Sequence, residues 1–190
     1  MLILAFDTSS KTASVAIADD KRVLYDVVMN TGRNSSEVLL PAIENACVAT
    51  GVKIFDIDLL ACTLGPGSFT GLRIGLSTLK GLMMSSGKPA VGVSSLAALA
   101  LNVGSTDQTI GSVMDAGRGQ VYLAYYQYKS IGALTEMGAE MALAPQKIGE
   151  HNQYGEVVYV GDGAVKYRDD ILHQVGKSVR IADEDHQFIH

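Results

Sequence analysis

An α/β fold in two lobes, each a mixed sheet flanked by helices, follows from three observations. Over residues 1–104 the apolar segments run strand, strand, strand, helix, strand, helix, strand, helix. A strand–aspartate–turn–strand unit then occurs twice, as ILAFDTSSKTASVAIA and as GSVMDAGRGQVYLAYY, with four residues between each aspartate and the next strand. The composition, 47% hydrophobic and 18% charged over 190 residues, suits a chain that buries a substantial core and is too apolar for disorder.

Each element has a local cause. Leu2–Phe6 is a short apolar run that reaches Asp7 within a few residues, which reads as a strand. Thr12–Ala18 alternates through Ser14-Val15-Ala16-Ile17, and Asp19-Asp20-Lys21 turns the chain into Arg22–Met29. Asn34 or Ser35 can cap a helix to about Thr50, with Glu37 near the positive end of its dipole, Pro41 bending it and Gly51 stopping it. A strand at Leu59–Leu64, a helix over 70–86 ended by Gly87-Lys88-Pro89, a strand at Ala90–Ser94 and a helix from Ser95 complete the first lobe, 1–104. A meander followed by two crossover units is the ribonuclease H-like pattern. The second lobe, 105–190, has strands at Thr109–Met114 and Gln120–Tyr128, a weak strand, a helix start at Ala144-Pro145, a strand at Val157–Val160 and a helical segment from Ala164.

The stretch LLACTLGPGSFTGLRIGLSTL, Leu59–Leu79, is the most unusual. Its helix sets Gly71 and Gly75 on one side and Leu72, Leu76, Leu79 and Met83 on another. Glycine inside a helix costs about 1 kcal/mol relative to alanine, so a pair one turn apart implies that another backbone comes close. A partner surface is the expectation, with Arg73 placed either to meet an acidic group or simply to face solvent.

Several chemistries are disfavoured. Fifteen Lys and Arg against 20 Asp and Glu give a net charge of −5, without the basic footprint of a nucleic-acid binder, so any RNA is expected to be held by another subunit. The loop Gly65-Pro-Gly-Ser-Phe-Thr-Gly71 lacks the Lys-Ser/Thr pair of a P-loop and the spacing of a dinucleotide fingerprint. Ser68 is not in a G-x-S-x-G elbow, and no histidine occurs before His151. His151, His173, His186 and His190 have no metal-site spacing, and Cys47 and Cys62 read as free thiols, so no metal is expected. Without a leader or a membrane-length apolar run, the chain is expected to be soluble and cytoplasmic.

Three segments could hold a nucleotide. Asp7-Thr8-Ser9-Ser10 and Asp115-Ala116-Gly117-Arg118 combine tight turns, small residues and a carboxylate able to hold hydrated Mg²⁺. Gly161-Asp162-Gly163-Ala164, between a strand and a helix, could lie against an adenosine. Their order resembles the nucleotide-binding segments of the actin, Hsp70 and sugar-kinase (ASKHA) superfamily. An ATP-binding or ATP-hydrolysing enzyme using Asp7 and Asp115 is therefore the alternative function; the bland alternative is hairpin turns and a helix start inherited with the fold.

ILAFDTSS, SSEVLLPAIENA, LGPGSFTGLRIGLSTLKGL, PAVGVSSLAALA, DAGRGQVYLA and VGDGA together resemble the bacterial TsaB (YeaZ) family from residue 2 to about 165. The resemblance implies an actin-like two-lobed fold and a non-catalytic scaffold that pairs with TsaD, with TsaE joining, to support threonylcarbamoyl transfer to the adenosine following the anticodon of tRNA. Isolated members are expected to form homodimers. The pairing surface it implies is the helix pair 35–50 and 70–86, with Leu39, Ile43, Gly71, Leu72, Arg73, Gly75, Leu76, Leu79 and Leu82 as contact residues, and Gly75→Leu expected to break pairing without unfolding. The TsaD metal-binding H-x-x-x-H corresponds to Ser95 and Leu99, neither of which replaces imidazole. Asp7, Thr8, Ser9, Asp115, Gly117, Gly161 and Gly163 are then vestiges of a nucleotide site: no cofactor is required, and ATP or ADP with Mg²⁺ binds weakly or at an assembled interface. The family pattern continues beyond His190 into a further helix and a Y-L-R-like tail, so a shortened second lobe is expected.

Overall fold

The computed structural model describes residues 1–30, 35–130, 133–175, 179–182 and 187–189. The chain divides into two compact units at Ser95/Leu96. The first contains β1 (Ile3–Asp7), β2 (Thr12–Ala18), β3 (Val23–Asn30), α1 (Ser35–Thr50), β4 (Leu59–Gly65), α2 (Phe69–Ser86) and β5 (Ala90–Ser94). Its five-stranded sheet has the order β3-β2-β1-β4-β5, with β2 antiparallel to its neighbours and β4 parallel to β1 and β5. Paired register puts Leu4, Phe6, Val15, Ile17, Leu60 and Cys62 on one sheet face, and both α1 and α2 pack there.

That packing corrects part of the expected partner surface. Leu39 and Ile43 of α1 and Leu79 of α2 belong to the core under the helices, and Leu82 is half-buried against it. A helix on a sheet must turn its apolar stripe inward, so the sequence's strongest hydrophobic positions are core positions. Of the capping candidates, Asn34 lies outside the described residues, while Ser35 is the buried first residue of α1. The helix runs through Pro41, which is exposed.

The second unit begins with α3 (Ser95–Leu101), nine residues before the expected boundary at 104/105. The reason is packing: Leu96, Leu99 and Ala100 share a core with Ile110, Met114, Ala124 and Val160 of the second sheet. That sheet holds β6 (Thr109–Gly117), β7 (Gln120–Ser130), β8 (Ala133–Glu136), β9 (Met141–Leu143), β10 (Val157–Val160) and β11 (Val179–Ile181). Its order is β11-β10-β6-β7-β8, with β9 also paired to β7. Short helices α4 (Ile148–His151), α5 (Asp162–Lys166) and α6 (Arg168–Val175) complete it. The helix expected from Ala144-Pro145 is a 3₁₀ turn leading into α4, and α5 starts two residues earlier than Ala164.

The repeated sequence unit has the same surroundings in both sheets. β1 lies between antiparallel β2 and parallel β4; β6 lies between antiparallel β7 and parallel β10. In each, the aspartate sits at the C-terminal end of the central strand, where the hairpin begins. Among the described residues, no helix is long and apolar enough to cross a membrane.

Gly111 on β6 makes room for the fully buried Tyr159, whose hydroxyl lies 3.2 Å from that of Tyr125. A Cβ at Gly111 would fall 2.5 Å from two carbons of the Tyr159 ring. Gly111→Ala is therefore expected to destabilise the chain by about 1–3 kcal/mol through overpacking, read as a lower urea midpoint at unchanged slope.

Candidate functional site

Asp7-Thr8-Ser9 connects β1 to β2 against the N-terminus of α2, and the three residues are almost wholly buried. Asp7 Oδ1 accepts hydrogen bonds from the Ser9 amide at 3.0 Å and from the Thr63 hydroxyl. The Thr8 hydroxyl donates to the Gly71 carbonyl at 2.7 Å, and the Ser68 amide donates to the Ser9 carbonyl at 2.7 Å. Ser68 also caps α2, its hydroxyl accepting from the Gly71 amide.

The glycines make this contact possible. An added Cβ would fall 1.9 Å from the Thr8 carbonyl oxygen at Gly71, 2.6 Å from Thr8 Oγ1 at Gly75, and 2.3 Å from the Ser9 carbonyl oxygen at Gly67. Gly71 and Gly75 thus face the chain's own turn, which corrects their assignment as partner contacts; Gly75→Leu would disrupt this packing rather than spare the fold. Asp7, Thr8 and Ser9 accordingly form an internal seat for the helix.

The electrostatics agree. Burial pushes the Asp7 carboxyl above the usual aspartate range, against the opposing pull of hydrogen bonds from Thr63 and Ser9. The Cys62 thiol is pushed up to about 12, chiefly by burial and then by the Asp7 charge, so it is no nucleophile at neutral pH.

In the second unit, Asp115 forms a 2.7 Å ion pair with Lys166, accepts from the Gly117 amide through Oδ1, and donates its own amide to Asp162 Oδ1. The carboxylate raises the Lys166 pKa in return. Gly161, at φ 113°, and Gly163 let α5 settle on β6: added Cβ atoms would meet the Val113 carbonyl oxygen at 2.3 Å and 2.9 Å. Both glycines are therefore required by helix–strand contact. Gly117, at φ 73°, lies in a hairpin turn with Arg118 and Gly119, where positive φ fits the strand twist.

The other side of α2 faces outward. Phe69 is 68% exposed and Met84 88% exposed. The Arg73 guanidinium lies 3.8 Å above the Phe69 ring centroid. Leu72 and Leu76 are half-buried and Met83 is exposed along the same side. Leu40 and Val48 are exposed on neighbouring α1.

A family model described as "TsaD: tRNA N6-adenosine threonylcarbamoyltransferase" matches residues 28–163. The "tRNA threonylcarbamoyladenosine biosynthesis protein TsaB" of Escherichia coli (strain K12) is 35% identical over 169 residues, covering 86% of this chain and 72% of that one. The chain belongs to the TsaB (YeaZ) family. The solved structure of YeaZ from Pseudomonas aeruginosa superposes with a TM-score of 0.80 at 28% identity, covering 90% of this chain and 79% of that one. A ROK hexokinase from Thermus thermophilus, at 14% identity and a TM-score of 0.54 over 97% of this chain and 93% of its own, shares the actin-like fold alone.

Within the TsaB family pattern, Ser95 and Leu99 occupy the positions compared above with the TsaD metal ligands. Both side chains are fully buried on α3, and Leu99 is part of the apolar core. Among the described residues no group of three or more His, Cys, Asp or Glu side chains is placed to hold a metal. Thr63 and Phe69 escaped the sequence reading. Thr63 follows Cys62, which pairs with Phe6, so the β1–β4 register alone would have set it beside Asp7. The Phe69–Arg73 pair is an i, i+4 spacing that the sequence does display.

The folded-state pKa of Asp7 lies above its unfolded value near 3.9, so the folded chain holds this proton more tightly. Its stability contribution is present at low pH and is lost as pH rises from about 4 through the raised value. Asp7→Asn keeps the carbonyl acceptor and cannot ionise. Melting temperatures across pH 4–7 are expected to favour the variant increasingly as pH rises; a pH-independent difference would contradict the buried-carboxylate account.

Proposed function

We propose that this chain is a non-catalytic subunit of tRNA threonylcarbamoyladenosine biosynthesis, pairing with TsaD and assembling with TsaE. One observation carries the reading: the inner face of α2 closes on the Asp7 turn while its outer face presents Phe69, Arg73, Leu72, Leu76, Met83 and Met84. An aromatic held by an arginine and surrounded by apolar side chains has the composition of an interface anchor. The buried Asp7 turn and the buried Ser95 and Leu99 support a role without chemistry of its own. The family relationship supplies the pathway.

In this reading α1 and α2 together dock TsaD, through Leu40 and Val48 as well as the α2 side chains. An isolated chain pairs with a second copy through the same surface. The net charge of −5 favours tRNA contact through the other subunits. ATP or ADP with Mg²⁺ belongs to the assembled complex, and the complex works in the cytoplasm.

Reconstitution with TsaD, TsaE and tRNA tests this. Modification is expected to require this chain, and Phe69→Ala with Arg73→Ala is expected to weaken TsaD binding roughly tenfold or more with little change in melting temperature. Calorimetry with ATP and Mg²⁺ on the isolated chain is expected to show no tight binding. Tight binding lost in Asp7→Ala would instead support the ATP-hydrolysing alternative that uses Asp7 and Asp115.

A further inference from the structure

Helices α1 and α2 rest on the same sheet face by different means. α1 packs through branched side chains, Leu39 and Ile43, which can adjust their rotamers when neighbours shift. The N-terminal half of α2 packs through Gly71 and Gly75, so backbone meets backbone and hydroxyl. No flexible side chain lies between helix and turn at these points. The turn is in turn fixed on both sides: Thr8 bonds the Gly71 carbonyl, the Ser68 amide bonds the Ser9 carbonyl, and Asp7 is tied to β4 through Thr63. Buried hydrogen bonds of this kind are costly to break, and close packing transmits displacement instead of absorbing it.

Phe69, Leu72, Arg73 and Leu76 stand on the same two turns of α2 as Gly71 and Gly75. Their outward positions therefore depend on how deeply those glycines sit. We propose that Thr8 is a positioning residue for the docking surface: with Asp7 and Thr63 it forms a seat that fixes the depth and angle of α2, and so the pose of Phe69 and Arg73. The proposal rests on the reading of α2 as the surface that meets TsaD. It gives the Asp7 turn a present function, in which a buried polar cluster tunes partner affinity without touching the partner.

Gly75→Ala supplies the test, because its methyl would fall 2.6 Å from Thr8 Oγ1 while every exposed α2 side chain stays unchanged. Binding to TsaD and melting temperature are measured for the full chain as Gly75→Ala, as Thr8→Val, as Val15→Ala and as Phe69→Ala/Arg73→Ala. Gly75→Ala is expected to weaken binding roughly tenfold or more. Thr8→Val keeps the side-chain shape and removes the donor to the Gly71 carbonyl, and is expected to weaken binding in the same direction. Val15→Ala truncates a buried core residue of the same sheet and serves as the stability control. It is expected to lower the melting temperature while leaving affinity within about twofold, since it leaves the Thr8–Gly71 and Ser68–Ser9 hydrogen bonds in place.

The seat is refuted if folded Gly75→Ala or Thr8→Val binds TsaD as tightly as the parent, or if Val15→Ala weakens binding as much. Should Gly75→Ala not fold, Thr8→Val decides alone by the same affinity criterion. Unchanged binding in Phe69→Ala/Arg73→Ala would overturn the docking assignment itself. That outcome is distinct from a failure of the seat, in which the surface variants weaken binding and the buried ones do not.

Discussion

The first unit depends on one close approach, that of the α2 backbone to the turn after β1. Thr8 and Ser9 exchange hydrogen bonds with the first turn of α2, and the missing side chains of Gly67, Gly71 and Gly75 let the two backbones meet. The loop, the cap at Ser68 and the burial of Asp7 are all consequences of it. A carboxylate enclosed in this way loses water and keeps two hydrogen-bond donors. Such an environment suits an internal tie.

The second unit repeats the physics with different residues. Gly161 and Gly163 bring α5 against the carbonyl of Val113, as Gly71 brings α2 against that of Thr8. Its aspartate is neutralised by Lys166, where Asp7 relies on hydroxyl and amide donors. Both strand–aspartate–turn units thus keep the outline of the actin-like fold, and both are engaged by the chain's own atoms. A helix with its inner face committed to such a seat has only its outer face to offer a partner. In α2 that face carries an aromatic ring stacked with a guanidinium and two exposed methionines.

Much of this was legible in the residues themselves. The spacing of apolar segments gave β1, β2, α1, β4, α2, β5, β6, β7 and β10 close to their observed bounds, because alternation and helical periodicity are local properties. The doubled aspartate unit announced two sheets with similarly placed hairpins. Short β8, β9 and β11 were hardly visible, since each owes its conformation to neighbours in the sheet. The boundary between units was misplaced because α3 continues directly from β5 in sequence while its apolar side belongs to the second core.

The sequence by itself determined the mixed sheets, the family pattern, and the fact that Gly71 and Gly75 must admit a close neighbour. It could not say which neighbour. A helix shows its periodicity to any reader of the chain, but which stripe turns inward depends on the sheet beneath it, and here the glycine side closes on Thr8. Only the tertiary structure decided that Leu39, Ile43 and Leu79 are core and that Asp7 is enclosed by Thr63 and Ser9. It alone left Phe69 and Arg73 on the open side. The physical reason is that burial is a property of pairs of elements far apart in sequence, and a helix pattern specifies a face without specifying what covers it.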